Sequence, residues 1–477
     1  MERAAQTVSE WVMHNFPAQT IAILSGPGNN GGDGLVVARQ LSVVGYEVIV
    51  FSYTNKNGQR SADCQANWQK LPPTIKLHEN EPFAPQPNTS LIIDALLGTG
   101  LNRPADGLIA QAVSTANQST VPILSIDMPS GMGNETSLGN IANQTVIKAT
   151  WTISFQWPKI NFLMPEAEPY VGQVVVTDIG IASNAISSMP TPYSLTDANT
   201  IKSLLQTRSK FAHKGTMGKA LLVVGSKGMM GAAQLSAKAC LRSGVGLLTT
   251  LVPECGYEIM QIGVPEAMTA TCGTTHIAEA DARPQSLPQT NAIGIGPGIG
   301  RNAATGHYIA ELLKTSHLPM VVDADALWHV AQLLHNEPTL HFTSPTIFTP
   351  HEGEFDRLTH SHTTRMARIE TASTFATQHN IVLVLKGAYT AICLPSGQVI
   401  FNPTGNAGMA TGGSGDVLTG ILTTLLAQNY DATTAAIVGV YIHGKAGDIA
   451  RDKVGEVSLI ASDIIRCLPF AFPRTNE

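Results

Sequence analysis

Short apolar runs rich in β-branched residues recur along the chain, separated by segments whose apolar positions repeat at helical spacing. In the first part the runs fall at 21–24, 48–51, 91–93, 123–126, 152–155 and 174–176. A near-continuous apolar run suits a strand buried on both faces, and strands alternating with helices predict a mostly parallel sheet. From Gly180 to Asn199 the chain reads GIASNAISSMPTPYSLTDAN, small and polar with two prolines, and neither period survives. A second series follows at 221–224, 247–252, 292–295, 320–322, 346–349 and 381–385, with helical patterns at 232–242, 417–427 and 435–450. The pattern therefore predicts two α/β domains: residues 1–182, a linker at 183–200, and a larger domain at 201–477.

Composition agrees with two domains and narrows the partners. A chain of 477 residues exceeds what one hydrophobic core normally supports, and 43% hydrophobic against 13% charged residues can fill two. The net charge of −6, with no long basic run, lacks the footprint of a polynucleotide binder. The six cysteines are scattered, with no Cys-x-x-Cys pair, so neither a zinc site nor a disulfide framework is expected. No apolar stretch is long enough to cross a bilayer, and Met1-Glu2-Arg3-Ala4-Ala5 has no apolar signal core. The expectation is a cytoplasmic enzyme acting on small molecules, without nucleic acid or membrane as partner, and forming a homo-oligomer.

The first candidate site starts at Gly26-Pro-Gly-Asn-Asn-Gly-Gly-Asp-Gly34, between a strand and a helical run. Gly26, Gly28 and Gly31 meet the dinucleotide-binding spacing, in which glycines let backbone amides approach a pyrophosphate at a helix start. The rest of that pattern is missing, because no acid ends the next strand to hold a ribose, and Asp33 puts negative charge beside the phosphates. Two further clusters follow strands, Asp94 to Pro104 and Asp127-Met-Pro-Ser130-Gly131. Strand ends of a parallel sheet line one crevice, so Asn30, Asp94, Asp127 and Ser130 can converge there as oxygen ligands for a hard cation. The plainer alternative is that the aspartates cap helices and the glycines only make turns.

NNGGDG at 29–34, DALLGTGLNRP at 94–104 and DMPSG at 127–131 resemble the NAD(P)H-hydrate epimerase domain, whose fold is Rossmann-like with three αβα layers. The resemblance implies substrate contacts at Asn29, Asn30, Gly31, Gly32 and Asp33, at Gly98, Thr99, Gly100, Leu101, Asn102, Arg103 and Pro104, and at Asp127. It also implies K⁺ held by Asn30, Asp94 and Ser130, with Asp127 as acid/base. In the family a further helix precedes the stretch with which this chain opens.

The second candidate site is the most specific segment of the chain, GNAGMATGGSGDVLTG at 405–420. Gly412, Gly413 and Gly415 free the backbone to point several amides inward, and a helix starting near Asp416 adds its positive end, making an anion hole. Asp416, at that helix start where a carboxylate stays ionised, can take the proton of an attacking hydroxyl. Lys386 ends a strand and can hold a nucleotide phosphate as a point charge. Asp323-Ala-Asp325 and Thr349-Pro-His351-Glu-Gly-Glu354 also follow strands; helix caps and a surface histidine are their plainer readings.

With GPGIG at 296–300, these motifs resemble the ADP- or ATP-dependent NAD(P)H-hydrate dehydratase of the ribokinase-like superfamily, again an αβα fold. The resemblance implies hydrate contacts at Ala232, Gly298, His351 and Asp416, and adenine-nucleotide contacts at Lys386, Gly387, Ala388, Tyr389, Thr390 and Gly415. Together the halves imply repair of hydrated nicotinamide cofactors: epimerisation of the R and S hydrates of NADH or NADPH, then ADP-dependent dehydration of the S form, with Mg²⁺ on the nucleotide phosphates. The alternatives are a small-molecule kinase of the same superfamily and, for the amino-terminal half, a non-catalytic binding module.

Overall fold

Alternate residues of the fully buried strand Thr20–Ser25 enter two different cores. Ile21 and Ile23 pack with Leu35, Val36 and Leu41 of the helix Asn29–Val43 and with Val8 and Val12 of the helix Glu2–Asn15. Ala22 and Leu24 pack with Ala112, Val113 and Ala116 of the helix Gly107–Gln118. One sheet with helices on both faces results, the three-layer arrangement expected. The computed structural model describes all residues except 101–103, 134, 183–190, 279–288, 339, 343 and 474–477, with the side chains of 135–137 and 140 also outside the description.

The chain forms two compact units, Met1–Pro190 with Thr363–Met366, and Thr191–His362 with Ala367–Glu477. Among the described residues the first holds a seven-stranded, all-parallel sheet in the order Lys76–Glu79, Glu47–Ser52, Thr20–Ser25, Thr89–Ala95, Ile123–Ile126, Trp151–Phe155, Gln173–Thr177. The chain builds outward from Thr20–Ser25 on one side and then returns to its other side at Thr89–Ala95. Such a reversal opens a crevice at the carboxyl ends of the two strands. The glycine turn lies flat across it: a Cβ on Gly26 would sit 1.7 Å from the Leu96 carbonyl oxygen, and one on Gly31 1.9 Å from that of Gly26.

Among the described residues the second unit holds a ten-stranded sheet in the order Met268–Thr271, Leu247–Val252, Lys219–Val223, Ala292–Ile295, Met320–Val322, Thr346–Phe348, Val382–Leu385, Ala391–Cys393, Val399–Phe401, Tyr193–Leu195. It is parallel as far as Val382–Leu385, after which an antiparallel hairpin follows. Ala220, Leu222 and Val224 pack against the helices Met230–Arg242, Ser414–Ala427, Ala432–Val454 and Ala461–Ala471, while the intervening Leu221 and Val223 are also buried. Both faces of this sheet are therefore covered.

The strand Tyr193–Leu195 and the start of the helix Ala198–Leu204 lie within the stretch 183–200 read above as a linker, whose first part, 183–190, falls outside the described residues. Parallel pairing with Val399–Phe401 gives those three residues partners that their own sequence does not announce. Among the described residues no helix is long and apolar enough to cross a membrane.

Candidate active sites

In the first unit the buried Asp94 ends the strand Thr89–Ala95 and accepts hydrogen bonds from Ser130 Oγ at 2.5 Å, Ser125 Oγ at 2.8 Å, Ser130 N at 2.9 Å and Leu96 N at 3.3 Å. Burial pushes its carboxyl up and those donors pull against the shift. Ser130 Oγ also donates to the Leu97 carbonyl at 3.2 Å, and Asn30 Nδ2 donates to the same oxygen at 3.1 Å. Asn30 Oδ1 is buried and has no hydrogen-bond partner. An orphaned amide oxygen beside a carbonyl, a hydroxyl and one carboxylate is an oxygen-rich set that fits a weakly polarising monovalent cation. Among the described residues no cluster of three or more His, Cys, Asp and Glu could hold a metal, which sets this group apart from a divalent carboxylate cage.

Asp127 follows the strand Ile123–Ile126 with a φ of +66°, a left-handed conformation at the carboxyl end of that interior strand. Lys159 pairs with it at 3.0 Å, and Phe155 N approaches the same oxygen at 3.4 Å. The sequence reading missed Lys159; its only signal was its place shortly after a strand end, without a glycine-rich motif to mark it. Asp33 lies in the first turns of the helix Asn29–Val43. Burial pushes its carboxyl up to about 7, with the Met1 ammonium opposing and the Asp127 charge adding. The repulsion that a charged Asp33 would exert on a phosphate is correspondingly reduced near neutral pH. Asn29 Oδ1 is taken by Ser61 Oγ at 2.9 Å, and Gly98 lies against Asn30, where an added Cβ would stand 3.3 Å from the asparagine Cβ. Thr99, Gly100 and Pro104 are exposed beyond it, and Leu101, Asn102 and Arg103 lie outside the described residues.

In the second unit the helix Ser414–Ala427 begins at Gly413, whose φ of +91° turns the chain in the left-handed region. The first turn carries Gly415 and Asp416 against the buried Asp323 at the end of Met320–Val322. Asp323 accepts from Lys386 Nζ at 2.8 Å through one oxygen and from Thr419 Oγ1 at 2.7 Å through the other. Glu354 stands 3.7 Å from the same ammonium. Burial alone would push Lys386 down, but the charges of Asp323 and Glu354 outweigh it and raise its affinity for the proton. A Cβ on Gly415 would lie 3.4 Å from Lys386 Nζ, so the missing side chain leaves the lysine open toward the helix start.

Asp416 was expected to stay ionised at the helix start, but burial dominates. It pushes the carboxyl up to about 6, with Asp323 and Asp325 adding and Lys386 opposing. The group remains mostly ionised at neutral pH and is a stronger base than an exposed aspartate. Asp416, Ala232, Gly298, Gly412 and Gly413 line a cleft of 460 Å³, together with Glu354 and Asp325. Lys386 and Gly415 meet just behind Asp416. Gly387, Ala388 and Tyr389 continue into an exposed turn, with Tyr389 at a φ of +50° and Thr390 Oγ1 bonded to the Gly387 carbonyl at 3.0 Å. His351 caps the helix Glu352–Leu358 through Nδ1, which accepts from Gly353 N and Glu354 N, and its imidazole is exposed beside the cleft-lining Glu354. Also missed were Thr419, which orients Asp323, and the half-buried His443, 3.4 Å from Ser414 Oγ and pushed down to about 4 by desolvation.

Comparison with known proteins matches each unit to a family. Residues 220–469 match the model described as NAD(P)H-hydrate dehydratase, and residues 1–161 the model described as YjeF-related protein N-terminus. The bifunctional NAD(P)H-hydrate repair enzyme of Moorella thermoacetica is 36% identical over 100% of this chain and 92% of its own length. That of Escherichia coli K12 is 31% identical over 98% and 88%. Among solved structures, the ADP/ATP-dependent NAD(P)H-hydrate dehydratase of Bacillus subtilis, co-crystallised with ATP/Mg²⁺, is 32% identical with a TM-score of 0.52, covering 58% of this chain and 97% of that one. A ribokinase-like superfamily protein of Enterococcus faecalis gives 27% and 0.52, covering 59% and 96%, in agreement with the fold expected of the second unit. The chain belongs to the family of bifunctional NAD(P)H-hydrate repair enzymes.

Proposed function

We propose that the two units perform successive steps in the repair of hydrated nicotinamide cofactors: the first interconverts the R and S hydrates of NADH or NADPH, and the second dehydrates the S form at the expense of ADP. The observation that carries the second step is the meeting of Asp416, Gly415 and Lys386 at one helix start beside an open cleft. Asp416 removes the proton from the hydrate hydroxyl, whose oxygen attacks the terminal phosphoryl group. A new P–O bond forms while the anhydride bond breaks and AMP departs. The phosphorylated carbon then loses phosphate and the neighbouring carbon a proton, restoring the dihydropyridine. Amides of the glycine turn and the Lys386 ammonium offset the charge on the phosphoryl oxygens.

Mg²⁺ accompanying the nucleotide would supply further charge neutralisation, and Asp325 and Glu354, carboxylates that line the cleft, would help to hold it. In the first unit Asn30, Asp94 and Ser130 would hold K⁺, which would fix substrate oxygen atoms at the crevice. Asp127, paired with Lys159, would act as the acid/base of epimerisation. A kinase of the same superfamily would release a stable phosphorylated alcohol. The direct test supplies both hydrate epimers with ADP or ATP and follows the absorbance of the reduced nicotinamide: complete recovery of both epimers with release of AMP and phosphate supports the reading. Accumulation of a phosphorylated hydrate, or recovery of one epimer only, overturns it in whole or in the epimerase half.

A further inference from the structure

The first unit contains a cavity, 560 Å³ in volume, which neither Asp127 nor Lys159 lines, though Pro104 does. It lies between the turn after Glu47–Ser52, with Tyr53 and Lys56, and the start of the helix Gly107–Gln118, with Asp106 and Leu108. In this strand order the turn after the second strand is where a dinucleotide-binding fold reads the adenosine ribose, and an acid there selects a free 2′-hydroxyl. The sequence has no acid in that turn and a lysine instead.

Resting on the epimerase reading above, we propose that this cleft receives the adenosine end of the hydrated dinucleotide and that Lys56 pairs with a phosphate on the ribose 2′ position, so that the first unit favours the phosphorylated hydrate. The cleft adjoins the reactive end, since Pro27 of the glycine turn lines it, as does Leu97, whose carbonyl takes hydrogen bonds from Asn30 and Ser130. Its walls are built rather than loose. Tyr53 N donates to the Ser25 carbonyl at 2.8 Å, and Asn80 Oδ1 accepts from Thr54 N at 2.9 Å. Apolar Leu108 and Ile109 suit a planar base, and its volume is within the range of a nucleotide-sized pocket. Tyr53 is 1% exposed, and its hydroxyl is buried without a hydrogen-bond partner, a deficit that a polar ligand atom would relieve. Lys56 pairs with Asp106 at 2.7 Å, both side chains being more than half exposed. Such a pair is weak, so a doubly charged phosphate displaces the carboxylate.

Epimer exchange of the phosphorylated and unphosphorylated hydrates, measured on the full chain and on Lys56→Met and Lys56→Arg, tests the assignment. The methionine variant is expected to raise KM for the phosphorylated hydrate about tenfold more than for the other, with the arginine variant keeping the preference. Equal effects on both hydrates overturn it. Protection of Lys56 from amine acetylation, read by mass spectrometry, is independent of turnover. Adenosine 2′,5′-bisphosphate should protect where 5′-AMP does not. If exchange is absent throughout, the epimerase reading fails while this protection still decides the subsite; equal protection by the two nucleotides removes it.

Discussion

As the base proposed for dehydration, Asp416 must be ionised, yet its burial favours the neutral form. The distance from 3.8 to about 6 corresponds to at most ~3 kcal/mol of lost stability once the group is charged. Because the folded-state value is the raised one, this loss is absent below the unfolded value and grows as pH rises through both. Asp416→Asn is therefore expected to melt higher than the parent chain at pH 8, with the difference shrinking toward pH 4, while dehydration falls by about 10²-fold or more. In the parent chain dehydration should fade below an apparent pKa near 6; a limb near 4 would mean that another group supplies the base. At the other site, Asp127→Asn should slow epimer exchange by about 10²-fold while dehydration of the S hydrate proceeds unchanged. Stopped exchange in Lys159→Met with full recovery in Lys159→Arg would identify the positive charge, rather than the methylene chain, as what orients Asp127.

At the scale of elements, the glycines of 412–415 do different jobs although the sequence presents them as one run. Gly413 has a φ of +91° and a Cβ there would stand 2.5 Å from Leu235 Cδ1, whereas one on Gly412 would meet nothing within 4 Å. Gly413→Ala should lower the melting temperature, by roughly 1 kcal/mol or more of stability, and Gly412→Ala should leave it unchanged. Similar melting curves for the two would remove the left-handed cap from the account. The sequence displayed this turn, and nearly all the central parallel strands, because strands buried on both faces must be apolar throughout. Short edge elements carry no such demand. Lys76–Glu79 is mostly exposed, Met268–Thr271 is only half-buried, and Tyr193–Leu195 takes its place from its partner Val399–Phe401. The helix Glu2–Asn15 was missed although Val8 and Val12 are fully buried, since its apolar stripe is thin. Among candidate site residues, Asp94, Asp127 and Asp416 stand in motifs that the sequence displays. Lys159, Thr419 and the pairing of Asp323 with Lys386 were not, because each depends on a contact made only when distant strand ends converge.

At the scale of the molecule, the two candidate sites stand on separate sheets with separate cores, and among the described residues none belongs to both. The groups proposed to react lie within single units: Asp127 and Lys159 in the first, Asp416, Lys386 and Asp323 in the second. The hydrate released by one unit is a soluble molecule, so the second step does not require the first to occur on the same chain. Asp127→Asn alone should repair the S hydrate and leave the R hydrate to convert at its spontaneous rate, and Asp416→Asn alone should equilibrate the epimers without restoring reduced cofactor. Mixed in equal amounts, the two variants should together recover both epimers completely, at about half the parent rate per chain because half of each kind of site is active. A mixture that restores only the S hydrate would mean that the intermediate never leaves the chain that makes it, and the separateness of the two units would then be structural without being functional.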